Sequence, residues 1–205
     1  MKPWILTPDK FLKEDEAKHL RSFLEEKSIV ALAKKRKKPV RDWALIDIAL
    51  SAGLRPSEIG NLTTKDAYLG KGESALFVKN GKGKKDRLVF IGEKLKKHLK
   101  DYLLWKKTIK ESVDPDSYLF LSERGPKMTL SAIQKRFKLS AKACGLPSRY
   151  SIRSARHTYG TMLYRSTKDL RMVQKQLGHS STQSTEVYAA VLNEDTEKAV
   201  NALYS

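Results

Sequence analysis

The residues best suited to chemistry stand in the last third of the chain. Arg153 and Arg156 lie three residues apart, and Tyr188 stands nine residues after His179. Guanidinium groups match two phosphate oxygens, and fixed cationic donors stabilise the negative charge that a phosphodiester gains under attack. Tyrosine is a nucleophile that can form a covalent intermediate and leave again. These residue types at these intervals indicate a site that attacks a phosphodiester without ATP or a metal ion.

The charge balance favours a nucleic-acid partner. The 205 residues include 41 lysines and arginines against 23 aspartates and glutamates, for a net charge of +18. Such an excess attracts a polyanion, although RNA-binding proteins share it. The single cysteine, Cys144, excludes an internal disulfide and fits a reducing cytoplasm. The four histidines and this cysteine lack metal-ligand spacing, so we expect no metal and no other cofactor.

The hydrophobic pattern predicts a mainly α domain with a small β-hairpin. Residues 75–79 and 87–91 break the helical period and bracket a basic, glycine-containing tip. Residues 1–12 are expected to form an irregular lead-in, and residues 118–121 a short buried strand or extended segment. Helices are predicted at about 14–27, 41–52, from 56 onwards, 93–106, 129–144, 154–166, 169–177, 183–191 and 194–203.

From about residue 10 to residue 192, the motifs resemble the catalytic domain of the tyrosine recombinases, the phage integrase family. Residues 53–59 (GLRPSEI) resemble the first box of that family, which makes Arg55 the first catalytic arginine. Residues 81–87 (GKGKKDR) resemble its β-hairpin, with Lys82 at the place of the catalytic lysine.

The remaining motifs follow in the order of the same family. Residues 153–158 (RSARHT) are similar to the second box, which makes Arg156 the second arginine. Residues 177–181 (LGHSS) match the histidine motif, which contributes His179, and Tyr188 stands where the nucleophile belongs. Each motif alone is weak, but all of them in this order and spacing are strongly indicative.

One position departs from the family pattern. The family usually has histidine, sometimes lysine, three residues before the second arginine, whereas this chain has Arg153. Arginine can donate hydrogen bonds but cannot act as a base near neutral pH. We therefore expect the cationic side chains to retain phosphate binding. We expect proton removal from Tyr188 to be weaker, or to be carried out by water or His179.

The resemblance implies a site-specific DNA recombinase that integrates, excises or inverts DNA. Tyr188 is expected to attack the scissile phosphate and form a 3′-phosphotyrosine, while Lys82 protonates the departing 5′ oxygen. Glu58 is expected to orient the cationic cluster from behind, and His157 to pack structurally behind the arginines. The side chains expected to hold the phosphate are Arg55, Arg153, Arg156 and His179.

The resemblance also implies partners and domain organisation. We expect double-stranded DNA, assembly as a homotetramer on it, accessory DNA-bending proteins, and a cytoplasmic, nucleoid-associated location. Residues 1–205 are expected to form one catalytic domain without an N-terminal core-binding domain, either as a protein similar to the short fimbrial invertases or as an isolated catalytic domain of a longer protein. Residues 193–205 are a candidate segment for exchange between subunits, and folding back on their own domain is an equal alternative. Candidate contacts to the DNA backbone are Lys34, Lys35, Arg36, Lys84, Lys135 and Lys138.

Two other functions remain open at this point. A type IB topoisomerase uses related tyrosine, arginine and lysine chemistry, but relaxes DNA of any sequence without pairing two sites. A catalytically idle DNA-binding protein is the second alternative, and Arg153 is the feature that keeps it open.

Overall fold

The described part of the chain is mainly helical and carries one small antiparallel sheet. The computed structural model describes residues 6–79, 85–123, 125–179, 183–190, 200, 201 and 203. The helices are α1 (Glu14–Ala33), α2 (Lys37–Ala52), α3 (Pro56–Asn61), α4 (Glu93–Thr108), α5 (Leu130–Ala143), α6 (Ile152–Thr167), α7 (Leu170–Leu177) and α8 (Gln183–Ala190). The strands are β1 (Ala67–Tyr68), β2 (Ala75–Val78) and β3 (Arg87–Phe90), paired in the order β1-β2-β3. The predicted fold class, mainly α with a small β element, is confirmed.

Helix α2 forms the centre of the core, and its residues 40–50 are all buried. It packs against α1, α4, α5 and α6. A helix buried on every side must pair its charged residues, because an unpaired charge away from water is costly. Arg41 donates to Glu111 at 2.7 Å, and Asp42 accepts from Arg136. These pairs explain why α2 can carry charges inside the core.

Helices α1 and α2 are longer than the sequence predicted. Helix α1 continues to Ala33 and α2 begins at Lys37, so the basic run after α1 is divided between a connection and a helix. Pro39 lies in the first turn of α2, where its missing N–H costs no helical hydrogen bond. Residues 34–36 form the exposed connection.

Residues 118–121 do not form a strand. Tyr118 makes an isolated bridge to Thr63, and the Leu119 amide donates to the Leu62 carbonyl at 2.8 Å. Strand β1 was not predicted, because two residues are too short to show a period. The predicted helix at 194–203 lies mostly outside the described residues. No helix within the described ranges is long and apolar enough to cross a membrane.

The predicted lead-in packs against the C-terminal helices. A 3₁₀ turn spans Pro8–Lys10. Leu6 and Phe11 are buried in a cluster with Val173, Leu177 and Tyr188. The lead-in therefore forms part of the hydrophobic support beneath the predicted nucleophile.

One buried hydroxyl group fixes the end of the lead-in to α6. The Leu12 amide donates to Thr158 Oγ1 at 2.8 Å, and this hydroxyl lies 3.0 Å from the Ser154 carbonyl oxygen, to which it donates. Both Leu12 and Thr158 are about 1 % exposed. Water is therefore a poor substitute for this contact.

We expect Thr158→Val to destabilise the protein, because it keeps the side-chain shape but leaves the Leu12 amide without its acceptor. A buried donor without a partner costs about 1–3 kcal/mol. Urea unfolding measures the free energy, and hydrogen exchange at the Leu12 amide locates the effect. Thr158→Ser retains the hydroxyl and should preserve protection of that amide. Unchanged exchange in Thr158→Val would contradict the assigned anchor.

Candidate active site

Arg55 is positioned by the junction of α2 and α3. Gly53 ends α2 in the left-handed conformation (φ 62°), and Arg55 immediately precedes α3. Glu58 accepts from the Arg55 backbone N–H at 2.7 Å and from Arg55 Nη1 at 2.8 Å. Arg55 Nη2 donates to the Gly178 carbonyl at 3.2 Å. The Arg55 side chain is 35 % exposed, so it is held in place and still accessible to a ligand.

Arg87 is a functional candidate that the sequence analysis missed. It is the first residue of β3, and Nη1 and Nη2 each donate to one Glu58 carboxylate oxygen at 3.0 Å. Its Nε donates to the Gln176 carbonyl at 3.2 Å. The available signal was an arginine directly between the basic tip and an apolar strand. This signal shows where Arg87 lies in β3, but not that its side chain is almost buried.

The Glu58 carboxylate carries a negative charge at the centre of these arginines. Burial alone would raise the pKa of Glu58, but the hydrogen bonds and charge of Arg87, together with Arg55, hold it below its ordinary value. Charge-assisted bonds of this kind favour the ionised carboxylate. The predicted orienting position of Glu58 therefore has a physical basis in its contacts with both arginines.

Arg156 lies deeper in the protein than Arg55. Its Nη1 donates to the Gly53 carbonyl at 2.6 Å and its Nη2 to the Leu177 carbonyl at 2.8 Å. Nη1 is 3.9 Å from a carboxylate oxygen of Glu58. Burial and the nearby charge of Arg55 lower the pKa of Arg156 to about 10, which still leaves the guanidinium charged at neutral pH.

Tyr188 lies on α8 with its ring fully buried. The ring fits against α6 because Gly160 has no side chain, and a Cβ there would stand 2.7 Å from the tyrosine Cζ. The Tyr188 hydroxyl is 3.1 Å from Nδ1 of His157. The ring of His179 stacks on Tyr188, with centroids 6.1 Å apart, while His179 Nδ1 lies 3.0 Å from Thr185 Oγ1.

The structure places both histidines against Tyr188. His157, expected to pack behind the arginines, instead contacts the Tyr188 hydroxyl directly. His179, considered as a base, contacts the tyrosine through its ring and directs Nδ1 to Thr185. The cause is helical geometry: successive residues of α6 point in different directions, so Arg156 reaches the α2 and α7 carbonyls while His157 reaches α8.

Burial favours the neutral forms of Tyr188, His157 and His179. It raises the pKa of Tyr188 to about 12, against the opposing effect of Arg156 and Arg55. Burial, reinforced by the charge of Arg156, lowers the pKa of His157 to about 4. The same two causes lower the pKa of His179 to about 4. At neutral pH the site therefore contains a phenol and two neutral imidazoles beside a cationic cluster.

The remaining predicted site residues are dispersed. Arg153 lies in the first turn of α6 and is exposed. Lys82 and Lys84 lie outside the described residues. The other backbone-contact candidates are all exposed, and Lys138 donates to the Ser148 carbonyl. These exposed candidates are Lys34, Lys35, Arg36, Lys135 and Lys138.

The acidic and imidazole side chains of the site are used in protein contacts. Glu58 faces arginines, and His157 and His179 face Tyr188 and Thr185. Within the described ranges, no three His, Cys, Asp or Glu side chains form a group that could hold a metal ion. The arrangement is suited to an oxyanion, because the Arg55 guanidinium is a partly exposed hydrogen-bond donor.

Comparison with known proteins places this chain in a family. The family model described as "Phage integrase family" matches residues 10–195. The chain belongs to the phage integrase family. A tyrosine recombinase XerC of Caldanaerobacter subterraneus subsp. tengcongensis is 37 % identical over 163 residues, covering 78 % of this chain and 44 % of the relative. A tyrosine recombinase of Pseudothermotoga lettingae is 33 % identical over 183 residues, covering 88 % and 60 %.

Solved structures of this family share the fold. The XerA recombinase superposes with a TM-score of 0.76 at 30 % identity, over 96 % of this chain and 66 % of that one. XerH bound to its difH substrate in a post-cleavage complex gives a TM-score of 0.75 at 24 % identity, over 95 % and 53 %. This integrase-family chain spans about half the length of the XerC relatives it matches.

We expect the stability of the protein to fall as the pH drops from about 6.5 towards 4. An unfolded imidazole takes up a proton near pH 6.5, whereas His157 and His179 resist until about pH 4, so acid favours the unfolded chain. Each histidine can contribute a loss of at most about 3 kcal/mol. Urea unfolding at a series of pH values measures this slope.

Replacing either histidine removes its share of that slope. His157→Asn and His179→Asn should each flatten the decline between about pH 6 and pH 4.5. Glu58 also has a lowered pKa, but its effect on stability appears only below about pH 4.5, which is more acidic than the range in which the histidines act. An unchanged slope in both variants would mean that these imidazoles are not held neutral.

Proposed function

We propose that this protein is a site-specific DNA recombinase that cleaves and rejoins strands through a 3′-phosphotyrosyl intermediate. The observation that carries the proposal is convergence on residues 177–179. Arg156 donates to the Leu177 carbonyl, Arg55 to the Gly178 carbonyl, and His179 stacks on Tyr188. Two phosphate-binding cations and a phenol from distant parts of the chain therefore meet at one short segment. The family membership and the XerC-named relatives support the same function.

Each residue has a defined part in this proposal. Arg55 and Arg156 hold the scissile phosphate and stabilise the charge that develops on it, with Arg153 and His179 at its margin. Tyr188 Oη bonds to phosphorus as the 5′ oxygen leaves, and Lys82 protonates that oxygen. The 5′-hydroxyl of a partner strand then attacks the phosphotyrosine and frees the tyrosine.

The burial of Tyr188 implies a closed resting state. Its ring is 0 % exposed, so a duplex cannot reach the hydroxyl without movement of α8. The hydrophobic support from the lead-in and α7 would have to loosen on one side. The same burial favours the second candidate function, a DNA-binding protein that does not cleave.

The proposed partner is double-stranded DNA. The net charge of +18 and the exposed basic connection at 34–36 suit a phosphate backbone. We further propose a homotetramer on DNA, with residues 193–205 exchanged between subunits and with accessory DNA-bending proteins. The proposed location follows from the partner, at the cytoplasmic nucleoid. One catalytic domain over residues 1–205 remains our proposal for this chain.

Covalent trapping tests the proposed function. Protein is mixed with a library of nicked duplexes, denatured in detergent, and any protein-linked strand is sequenced. We expect an adduct with wild type and none with Tyr188→Phe, because phenylalanine has no nucleophilic oxygen. Arg55→Ala should reduce adduct formation by about 10²–10³-fold through loss of a charge-stabilising donor.

A matched control separates chemistry from packing. Tyr164→Phe removes a hydroxyl from a tyrosine that packs on the same cluster and should retain the adduct. Enriched sequence in the trapped strands supports a recombinase, whereas adducts without sequence preference indicate a topoisomerase-like enzyme. DNA binding without any wild-type adduct would contradict the proposal and favour the idle binder.

A further inference from the structure

The hydroxyl of Tyr188 has a specific neighbour that the sequence motifs did not assign. Within the part of the chain that the structure describes, the side chain that hydrogen-bonds to Tyr188 Oη is His157, at 3.1 Å through Nδ1. The two ring centroids are 6.1 Å apart and tilted by 45°. With the proton of His157 on Nε2, Nδ1 is an acceptor for the phenol.

The other candidate bases fit this task less well. Arg153, at the position where the family usually has histidine, is exposed, and a guanidinium group has hydrogen-bond donors but no acceptor for the phenolic proton. His179 faces the tyrosine with its ring and directs Nδ1 to Thr185. A base must lie within hydrogen-bond reach of the proton that it takes. Among these three side chains, His157 meets that requirement.

We propose that His157 is the catalytic base for Tyr188, accepting the phenolic proton at Nδ1 during attack and returning it in the reverse step. This inference rests on the proposed function. In cleavage, the Tyr188 O–P bond forms, the P–O5′ bond breaks and the phenolic proton moves to His157. In rejoining, the 5′-hydroxyl passes its proton to the neutral amine of Lys82 as its oxygen bonds to phosphorus, the Tyr188 O–P bond breaks and imidazolium His157 reprotonates the departing phenolate.

The surroundings of His157 determine when the proton moves. Burial first, and then its cationic neighbours, lower the pKa of His157, so the imidazole is neutral but only weakly basic in the resting site. A bound phosphate would offset the arginine charges and make the imidazole more basic. The transfer therefore accompanies O–P bond formation and does not precede it. The charged and titratable neighbours of His157 are Arg153 and Arg156 from α6, Lys10 from the lead-in, His179 after α7 and Tyr188 from α8.

The test compares single-turnover adduct formation by wild type, His157→Ala and His157→Asn on a duplex selected by covalent trapping. The duplex carries sulfur in place of the bridging 5′ oxygen at the scissile phosphate. A thiolate leaves without a general acid, so the remaining pH dependence of adduct formation reports the attack by Tyr188. We expect both variants to be about 10²–10⁴-fold slower, the usual contribution of a positioned base. Added imidazole should partly restore His157→Ala.

The variants distinguish a base from a positioning contact. Asparagine can accept the phenolic hydrogen bond but cannot take the proton, so His157→Asn should be as slow as His157→Ala. The exposed His19 supplies the control, and His19→Ala should keep the wild-type rate. Circular dichroism and DNA retention confirm that each variant is folded.

Several results would overturn the proposal. Wild-type rates in His157→Asn would reduce His157 to a positioning residue. Faster adduct formation in His157→Ala would mean that the contact restrains a closed tyrosine. A slow His157→Ala with no response to imidazole at any pH would assign the loss to structure. Absence of an adduct with wild type would instead count against the proposed function itself.

Discussion

The buried carboxylate of Glu58 is the interaction on which the site depends. It accepts hydrogen bonds from both terminal nitrogens of Arg87 and from the side chain and backbone N–H of Arg55. One of its oxygens also lies 3.9 Å from Arg156 Nη1. Three guanidinium groups crowded together would repel each other, and burial would add a desolvation cost. One shared anion with good hydrogen-bond geometry offsets both effects. It leaves a net positive centre, which is what a phosphodiester requires.

Backbone carbonyls complete the support of the arginines. Backbone carbonyls at the C-terminal ends of α2 and α7 point towards the arginines. Arg156 donates hydrogen bonds to the carbonyls of Gly53 and Leu177. Helix C-termini carry partial negative charge, so cations are stabilised there. Gly53 and Gly178 end these helices in the left-handed conformation, and the missing side chain at Gly178 leaves room for the Arg87 guanidinium. The junctions of the fold are thus part of the electrostatics of the site.

The sequence predicted those features that depend on local pattern. Helix periods, the hairpin strands and the end of α2 at Gly53 follow from short-range rules, and the ordered motifs predicted roles for Arg55, Arg156 and Tyr188, which the structure brings close to residues 177–179. Arg87 was missed because the pairing of β3 with Glu58 is a tertiary contact between residues 29 positions apart. The direction of the His157 side chain depends on how α6 and α8 pack against each other, and this packing cannot be inferred from local sequence pattern. The buried pairs of α2 escaped prediction for the same reason.

The most direct test of the Glu58 account is a double-mutant cycle in urea unfolding with Glu58→Gln, Arg87→Gln and the double variant. Glu58→Gln removes the anion that the buried guanidinium groups share and should cost about 3–5 kcal/mol. Arg87→Gln removes two hydrogen bonds to Glu58, which keeps its contacts with Arg55, so this change should cost less. The double variant should cost less than the sum by about 1–3 kcal/mol, because the two residues share one interaction. The same cycle on the exposed Lys97–Asp101 pair should give a coupling below about 1 kcal/mol. Additive losses for Glu58 and Arg87 would contradict the claim that this carboxylate organises the arginines.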